Sequence, residues 1–135
     1  MVRIYICEDN QKHLEEIKRH VSYFASFSDW NMKIVTASIY PEKILDSLIV
    51  DQEPNIYIFD VDLKSTSNLN GFQLGKKIRE QDPLGYLIYL TSHVELSYLT
   101  FQFHVNAIDY IEKNGIDDWR DRMTNCLKEI ERQLA

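Results

Sequence analysis

Cysteine is scarce in this chain: Cys7 and Cys126 are the only two, far apart in sequence. Such usage excludes a disulfide framework and fits two reduced, buried thiols of a cytoplasmic protein. Long apolar runs are missing too. None reaches the ~18 residues that a membrane-spanning helix needs. The N-terminus, Met1-Val2-Arg3-Ile4, enters a strand pattern at once and lacks the layout of a signal peptide. Positive charge is outnumbered, with 15 Lys and Arg against 21 Asp and Glu and a formal net charge of −6. Nucleic-acid contact needs a basic face to neutralise phosphate, so no direct contact with DNA or RNA is expected of this domain. An acidic balance instead suits a soluble domain that attracts cations. No repeat, low-complexity stretch or Pro/Gly/Ser linker divides the chain. Its 135 residues read as one domain, residues 1–135, able to bury roughly two thirds of its unfolded surface.

What is present is alternation. Val2 to Cys7, Met32 to Ala37, Asn55 to Asp60, Tyr86 to Leu90 and Ala107 to Ile111 read as strands. Between them lie helical patterns. Asn10 caps a helix with Leu14, Ile17, Val21 and Phe24 on one face. Pro41 opens a second with Ile44, Leu45 and Leu48. Lys64 to Asn70 is polar and loop-like, and Gly71 to Gln81 follows with Phe72, Leu74 and Ile78 in helical spacing. Val94 to Phe103 is a short helix with Leu96, Leu99 and Phe103 inward. Asp117-Asp118 start the last helix, with Trp119, Met123, Leu127 and Ile130 inward. Five strands alternating with five helices imply an α/β fold, a doubly wound parallel sheet covered on both faces. In the flavodoxin-like strand order 2-1-3-4-5, ligands sit beyond the carboxyl ends of the first and third strands. Spacing alone does not select that order.

The chemistry gathers at strand ends. Glu8-Asp9 follows the first strand and Asp60 ends the third. Three carboxylates at one sheet edge repel, and each raises the others' pKa, unless a cation or a reaction uses them. A hard cation such as Mg²⁺ takes oxygen ligands and keeps several waters. Asp9 and Asp60 are natural direct ligands, with Glu8 holding a metal-bound water and the Asp62 backbone carbonyl completing the protein's share. A carboxylate can also act as a nucleophile and form an aspartyl phosphate. Thr91, after the fourth strand, and Lys113, after the fifth, offer a hydroxyl and an ammonium to the other phosphoryl oxygens. Singly, each residue reads as a cap, a turn or surface charge. Together, at four successive strand ends, they read as a phosphoryl-transfer site. Asp60-x-Asp62 also fits a Toprim-like nucleic-acid enzyme or a haloacid-dehalogenase phosphatase. The first has no use for Thr91 and Lys113, and the second places its motif near the N-terminus.

The motifs Cys7-Glu8-Asp9, Phe59-Asp60-Val61-Asp62-Leu63, Leu90-Thr91-Ser92 and Tyr110-Ile111-Glu112-Lys113 resemble the receiver domain of two-component response regulators across essentially the whole chain. The segments Asn70 to Gly75, Asp82 to Gly85 and Thr91 to Phe101 are similar to the accessory gene regulator (AgrA) type. Those are quorum-sensing regulators of Gram-positive bacteria, with a C-terminal LytTR DNA-binding output domain. That likeness implies a CheY-like fold and a signalling protein rather than an enzyme. It implies Mg²⁺ as cofactor, a sensor histidine kinase as partner, and an output domain that regulates transcription. Asp60 takes the place of the phosphoacceptor, and Glu8 and Asp9 that of the acidic metal pair. Thr91 and Lys113 stand as the switch hydroxyl and its lysine partner, with Tyr110 at the aromatic switch position. Asp62 and His93 flank the site where such positions set the lifetime of the phosphoryl group. Tyr98, Phe101 and Phe103 belong to the core or to a homodimer patch formed on activation. Two departures stand out. Asn114 follows the lysine where most receivers have Pro, and the loop from Asp60 to Gly71 is longer than usual. A receiver-like binding module that is never phosphorylated is the alternative reading.

Overall fold

The computed structural model describes residues 1–63, 69–92 and 105–135. Five parallel strands form one sheet: β1 (Val2–Cys7), β2 (Met32–Ser38), β3 (Asn55–Phe59), β4 (Tyr86–Thr91) and β5 (Asp109–Glu112). Their spatial order is β2-β1-β3-β4-β5, as the flavodoxin-like reading expects. Among the described residues four helices cover it: α1 (Gln11–Phe27), α2 (Pro41–Ser47), α3 (Gly71–Gln81) and α4 (Trp119–Leu134). The expected helix over 94–103 lies outside the described residues, as do His93, Tyr98, Phe101 and Phe103.

The side-chain period of two along each strand sorts the core into two layers. Val2, Ile4 and Ile6 of β1, Ile56 and Ile58 of β3, and Ile88 and Leu90 of β4 pack with Leu14, Ile17 and Val21 of α1. Met123, Leu127 and Ile130 of α4 complete that layer. The alternate residues Tyr5 and Cys7, Tyr57 and Phe59, and Leu87 and Tyr89 pack with Ile44 of α2 and with Phe72, Leu74 and Ile78 of α3. Both faces are buried, so the strands read as continuous apolar runs rather than as alternating ones. One layer is aliphatic and the other is rich in aromatics. Cys7 and Cys126 are free and buried, one in each layer.

Helix starts follow local chemistry. The Asn10 side chain accepts from the His13 N–H at 3.1 Å and opens α1. Asn70 and Gln73 form a reciprocal capping box at α3. The segment read as plain loop therefore ends in a helix cap. The Asp118 side chain accepts from the Arg120 N–H at 2.9 Å and opens α4. Some boundaries differ from expectation. β2 runs on to Ser38 and β4 includes Thr91, while Leu48 is the C-cap of α2. β5 begins at Asp109, not Ala107, because its pairing with β4 opens at Ile88–Asp109. Ala107 and Ile108 prolong the apolar pattern without joining the strand. Trp119 is only partly buried, and the Arg120 guanidinium lies over its indole, 4.7 Å from the ring centroid.

Gly71 is where the site's loop meets α3. A Cβ there would lie 2.0 Å from the Asp60 carbonyl oxygen and 2.7 Å from the Val61 Cα. Those are backbone atoms and cannot rotate away. Gly71→Ala is expected to destabilise the fold by about 3 kcal/mol, as severe overpacking does. Urea unfolding of Gly71→Ala beside Gly115→Ala checks this. The added Cβ at 115 meets only the flexible Glu112 side chain, at 3.3 Å, and should leave the midpoint nearly unchanged.

Candidate functional site

Three charged residues of the site, Glu8, Asp60 and Lys113, each extend a strand ladder by one rung. The Glu8 N–H donates to the Ser38 carbonyl of β2, the Asp60 N–H to the Cys7 carbonyl of β1, and the Lys113 N–H to the Thr91 carbonyl of β4. The sheet therefore fixes their backbones before any side-chain contact forms. Parallel pairing brings all the strand ends to one edge. Ligand-capable oxygens of Glu8, Asp9 and Asp60 lie within 4.8 Å of one another. The Lys113 ammonium stands 3.0 Å from Asp60 Oδ2 and also pairs with Glu8 Oε1. Glu8 Oε2 accepts from the Asn10 N–H at 3.2 Å, and Asp60 Oδ1 from the Asp62 N–H at 3.3 Å. Four of the expected site residues, Glu8, Asp9, Asp60 and Lys113, thus form one cluster.

Burial shapes its electrostatics. Glu8 is 1% exposed and Asp60 6%. Desolvation, reinforced by the Asp60 charge and opposed by Lys113, pushes the Glu8 carboxyl up to about 7. Burial alone would lower the Lys113 ammonium. The charges of Asp60 and Glu8 outweigh it and hold Lys113 above its ordinary value. The Lys113 ammonium faces two carboxylates, Glu8 and Asp60, and an Asp9 oxygen lies within 4.8 Å of theirs. That donor set is all oxygen and suits a hard divalent cation.

Thr91 is fully buried at the end of β4. Tyr110, on β5, is half-buried and stacks on Tyr89, with centroids 5.4 Å apart and planes inclined by 13°. Asp62 is exposed beside the cluster. Asn114, which follows the lysine, donates from its side-chain amide to Ser92 Oγ at 3.5 Å. It therefore links the loop after β5 to the loop after β4. One neighbour of the site went unnoticed in the sequence. Tyr89 is fully buried, and its hydroxyl donates to the Gly71 carbonyl at 2.9 Å. A tyrosine within an apolar strand run gives no sign of where its hydroxyl lands.

If the cluster takes Mg²⁺, relief of carboxylate repulsion adds to the new contacts. A concentration ten times Kd would stabilise the fold by about 1.4 kcal/mol. Thermal melts should therefore rise by roughly 3–5 °C in millimolar Mg²⁺ and by clearly less in Asp9→Ala. An unchanged melt, together with no heat of Mg²⁺ binding, would contradict a metal site.

A five-stranded 2-1-3-4-5 parallel sheet with acidic residues after β1 and β3 and a lysine after β5 defines a receiver. The sequence model of the response regulator receiver domain matches residues 4–123, and the chain belongs to that family. It is 33% identical over 133 residues to accessory gene regulator protein A of Staphylococcus aureus and 30% identical to that of Staphylococcus epidermidis. These alignments take in 98% of this chain but only 55% of each relative, so the chain spans about half their length. Among solved structures, the response regulatory domain of the Klebsiella pneumoniae protein mrkE superposes with a TM-score of 0.72 at 21% identity. It covers 97% of this chain and 96% of its own. The Thermotoga maritima response regulator DrrB gives 0.71 at 20% identity, over 98% of this chain and 54% of its own. At these identities both speak for the fold. Among the described residues no helix is long and apolar enough to cross a membrane.

Proposed function

We propose that this domain accepts a phosphoryl group on Asp60 from a sensor histidine kinase and so switches an output domain. One observation carries the reading. The Asp60 carboxylate is nearly buried, with Lys113 Nζ at 3.0 Å and the oxygens of Glu8 and Asp9 within 4.8 Å. In the transfer, an Asp60 oxygen attacks phosphorus, an O–P bond forms, and the N–P bond of phosphohistidine breaks. The electron pair leaves on the imidazole nitrogen. Mg²⁺, held by Glu8, Asp9, Asp60 and the Asp62 carbonyl, would supply charge neutralisation at one phosphoryl oxygen. Lys113 serves another oxygen. The Thr91 hydroxyl and backbone N–H groups after Asp60 serve the rest. Asp62 and His93 modulate hydrolysis, and Tyr110 reads the occupied state by repacking.

The family relationship supports the kinase partner. Relatives nearly twice as long support a C-terminal output region, which the likeness to accessory gene regulator proteins makes a LytTR-type, transcription-regulating domain in a quorum-sensing pathway. A homodimer of activated receivers fits that role. The net charge of −6 leaves DNA contact to the output region, and the setting is the cytoplasm.

Incubation with Mg²⁺ and acetyl phosphate tests the reading. The expected result is an acid-stable, base-labile mass gain of one phosphoryl group, mapped to the peptide holding Asp60. Binding of Mg²⁺ with no mass gain from this donor or from phosphorylated kinases would instead mark an unphosphorylated binding module.

A further inference from the structure

Tyr89 sits where an apolar side chain would fill the core as well. It is fully buried, with Phe72 at 5.2 Å between centroids on one side and Tyr110 stacked at 5.4 Å. A buried hydroxyl costs free energy unless it is bonded, and this one donates to the Gly71 carbonyl at 2.9 Å. The space for it is specific. A Cβ on Gly75 would lie 2.4 Å from the Tyr89 oxygen, so only glycine at that turn of α3 admits the hydroxyl. Gly71 in turn donates its N–H to the Val61 carbonyl at 2.7 Å, and Val61 follows Asp60 directly. Two hydrogen bonds thus join the residue after the carboxylate to the phenol that lies flat against Tyr110.

We propose that Tyr89 is a positioning residue that ties the loop after Asp60 to the Tyr110 ring, so that a change of charge at Asp60 reaches Tyr110 through the Tyr89–Gly71 hydrogen bond. The inference rests on the reading of Asp60 as phosphoacceptor. It adds a route on the α3 side of the sheet, distinct from movement of the Thr91 hydroxyl. Tyr89→Phe keeps the ring, its stacking and its volume and removes only the bond to Gly71. Gly75→Ala keeps the phenol and fills the place where its hydroxyl lands.

The test is NMR of the full chain with Mg²⁺, with and without beryllofluoride. In the parent, the Val61 and Gly71 amides and the Tyr110 ring resonances should all shift. In Tyr89→Phe the Val61 amide should shift as before, while the Tyr110 ring response falls at least about twofold. Gly75→Ala should reproduce that loss, which guards against a fault particular to one variant. A merely structural Tyr89 would lower the melting temperature of its variant and leave the Tyr110 response intact, and that outcome overturns the inference. Failure of the parent's Val61 and Gly71 amides to move would instead overturn the phosphoacceptor reading, and the inference with it.

Discussion

Asp60→Asn is expected to abolish phosphoryl acceptance completely and, without Mg²⁺, to make the fold more stable. The first effect follows from chemistry. An amide has no carboxylate oxygen to attack phosphorus, and the neighbours cannot substitute, since phosphoryl transfer depends on one positioned nucleophile. The second follows from charge. In the parent, Glu8 and Asp60 share the ammonium of Lys113, and an Asp9 oxygen lies within 4.8 Å of theirs. Removing one carboxylate leaves Lys113 to Glu8 and eliminates the second-largest cause that pushes the Glu8 carboxyl up to about 7. Glu8 should then titrate nearer its ordinary value. A gain of about 1 kcal/mol would raise the melting temperature by roughly 3–5 °C, and the stabilisation by Mg²⁺ should shrink at the same time. Intact-mass measurement after acetyl phosphate, paired with melts at several Mg²⁺ concentrations, reads both. A base-labile label on Asp60→Asn equal to the parent's would move the acceptor elsewhere. Lower stability in the absence of Mg²⁺ would mean that Asp60 is held as a structural ion pair rather than strained by its neighbours.

Charge at the end of a buried strand also made the candidate site legible in the sequence. A carboxylate at the end of a buried strand costs free energy. Asp60, Glu8-Asp9 and Lys113 could therefore be picked out from strand ends alone, and parallel pairing did bring them together. Asn10 and Pro41 were legible because a cap acts within one turn of chain. What stayed hidden depends on pairing across the sheet. In the sequence Asp82 stands just past the Gly71–Gln81 helical pattern and before Pro83. In the fold it is also buried, accepting from the Tyr57 hydroxyl at 2.6 Å and the Asn55 amide at 3.2 Å. No local pattern announces a carboxylate held by residues more than twenty positions away. Tyr89 is a second case, since its partner is a carbonyl in another element. Strand order was expected correctly, but from the likeness to receivers and not from spacing, which permits several orders. β5 starts two residues later than its apolar run. Ile108 still donates its N–H to the Leu87 carbonyl, but strand pairing opens only at Asp109.

Lys113→Met should have the largest effect on stability, and its size should depend on pH in a defined way. The Lys113 side chain is 11% exposed and faces two carboxylates that are more buried still. Removing one partner of a buried pair leaves uncompensated charge, which costs about 3 kcal/mol or more. Methionine retains most of the volume, so the loss is electrostatic and not a cavity effect. For Glu8, a folded-state value near 7 against the ordinary 4.5 means that the folded protein binds more protons than the unfolded chain between those values. Stability from this group therefore falls as pH rises through that window. Lys113 limits the fall by opposing the shift. Without it the Glu8 carboxyl moves higher, and the decline extends further up in pH. The deficit of Lys113→Met should thus be greatest near pH 8 and small near pH 5, where Glu8 holds a proton in the folded state. Millimolar Mg²⁺ at pH 8 should restore part of the loss, because a cation then stands among the same oxygens. Urea midpoints at pH 5 and pH 8, with and without Mg²⁺, measure all of this. A deficit equal at both pH values and indifferent to Mg²⁺ would show that Lys113 supports the fold by packing of its stem, and the view of it as counter-ion to Glu8 and Asp60 would fail.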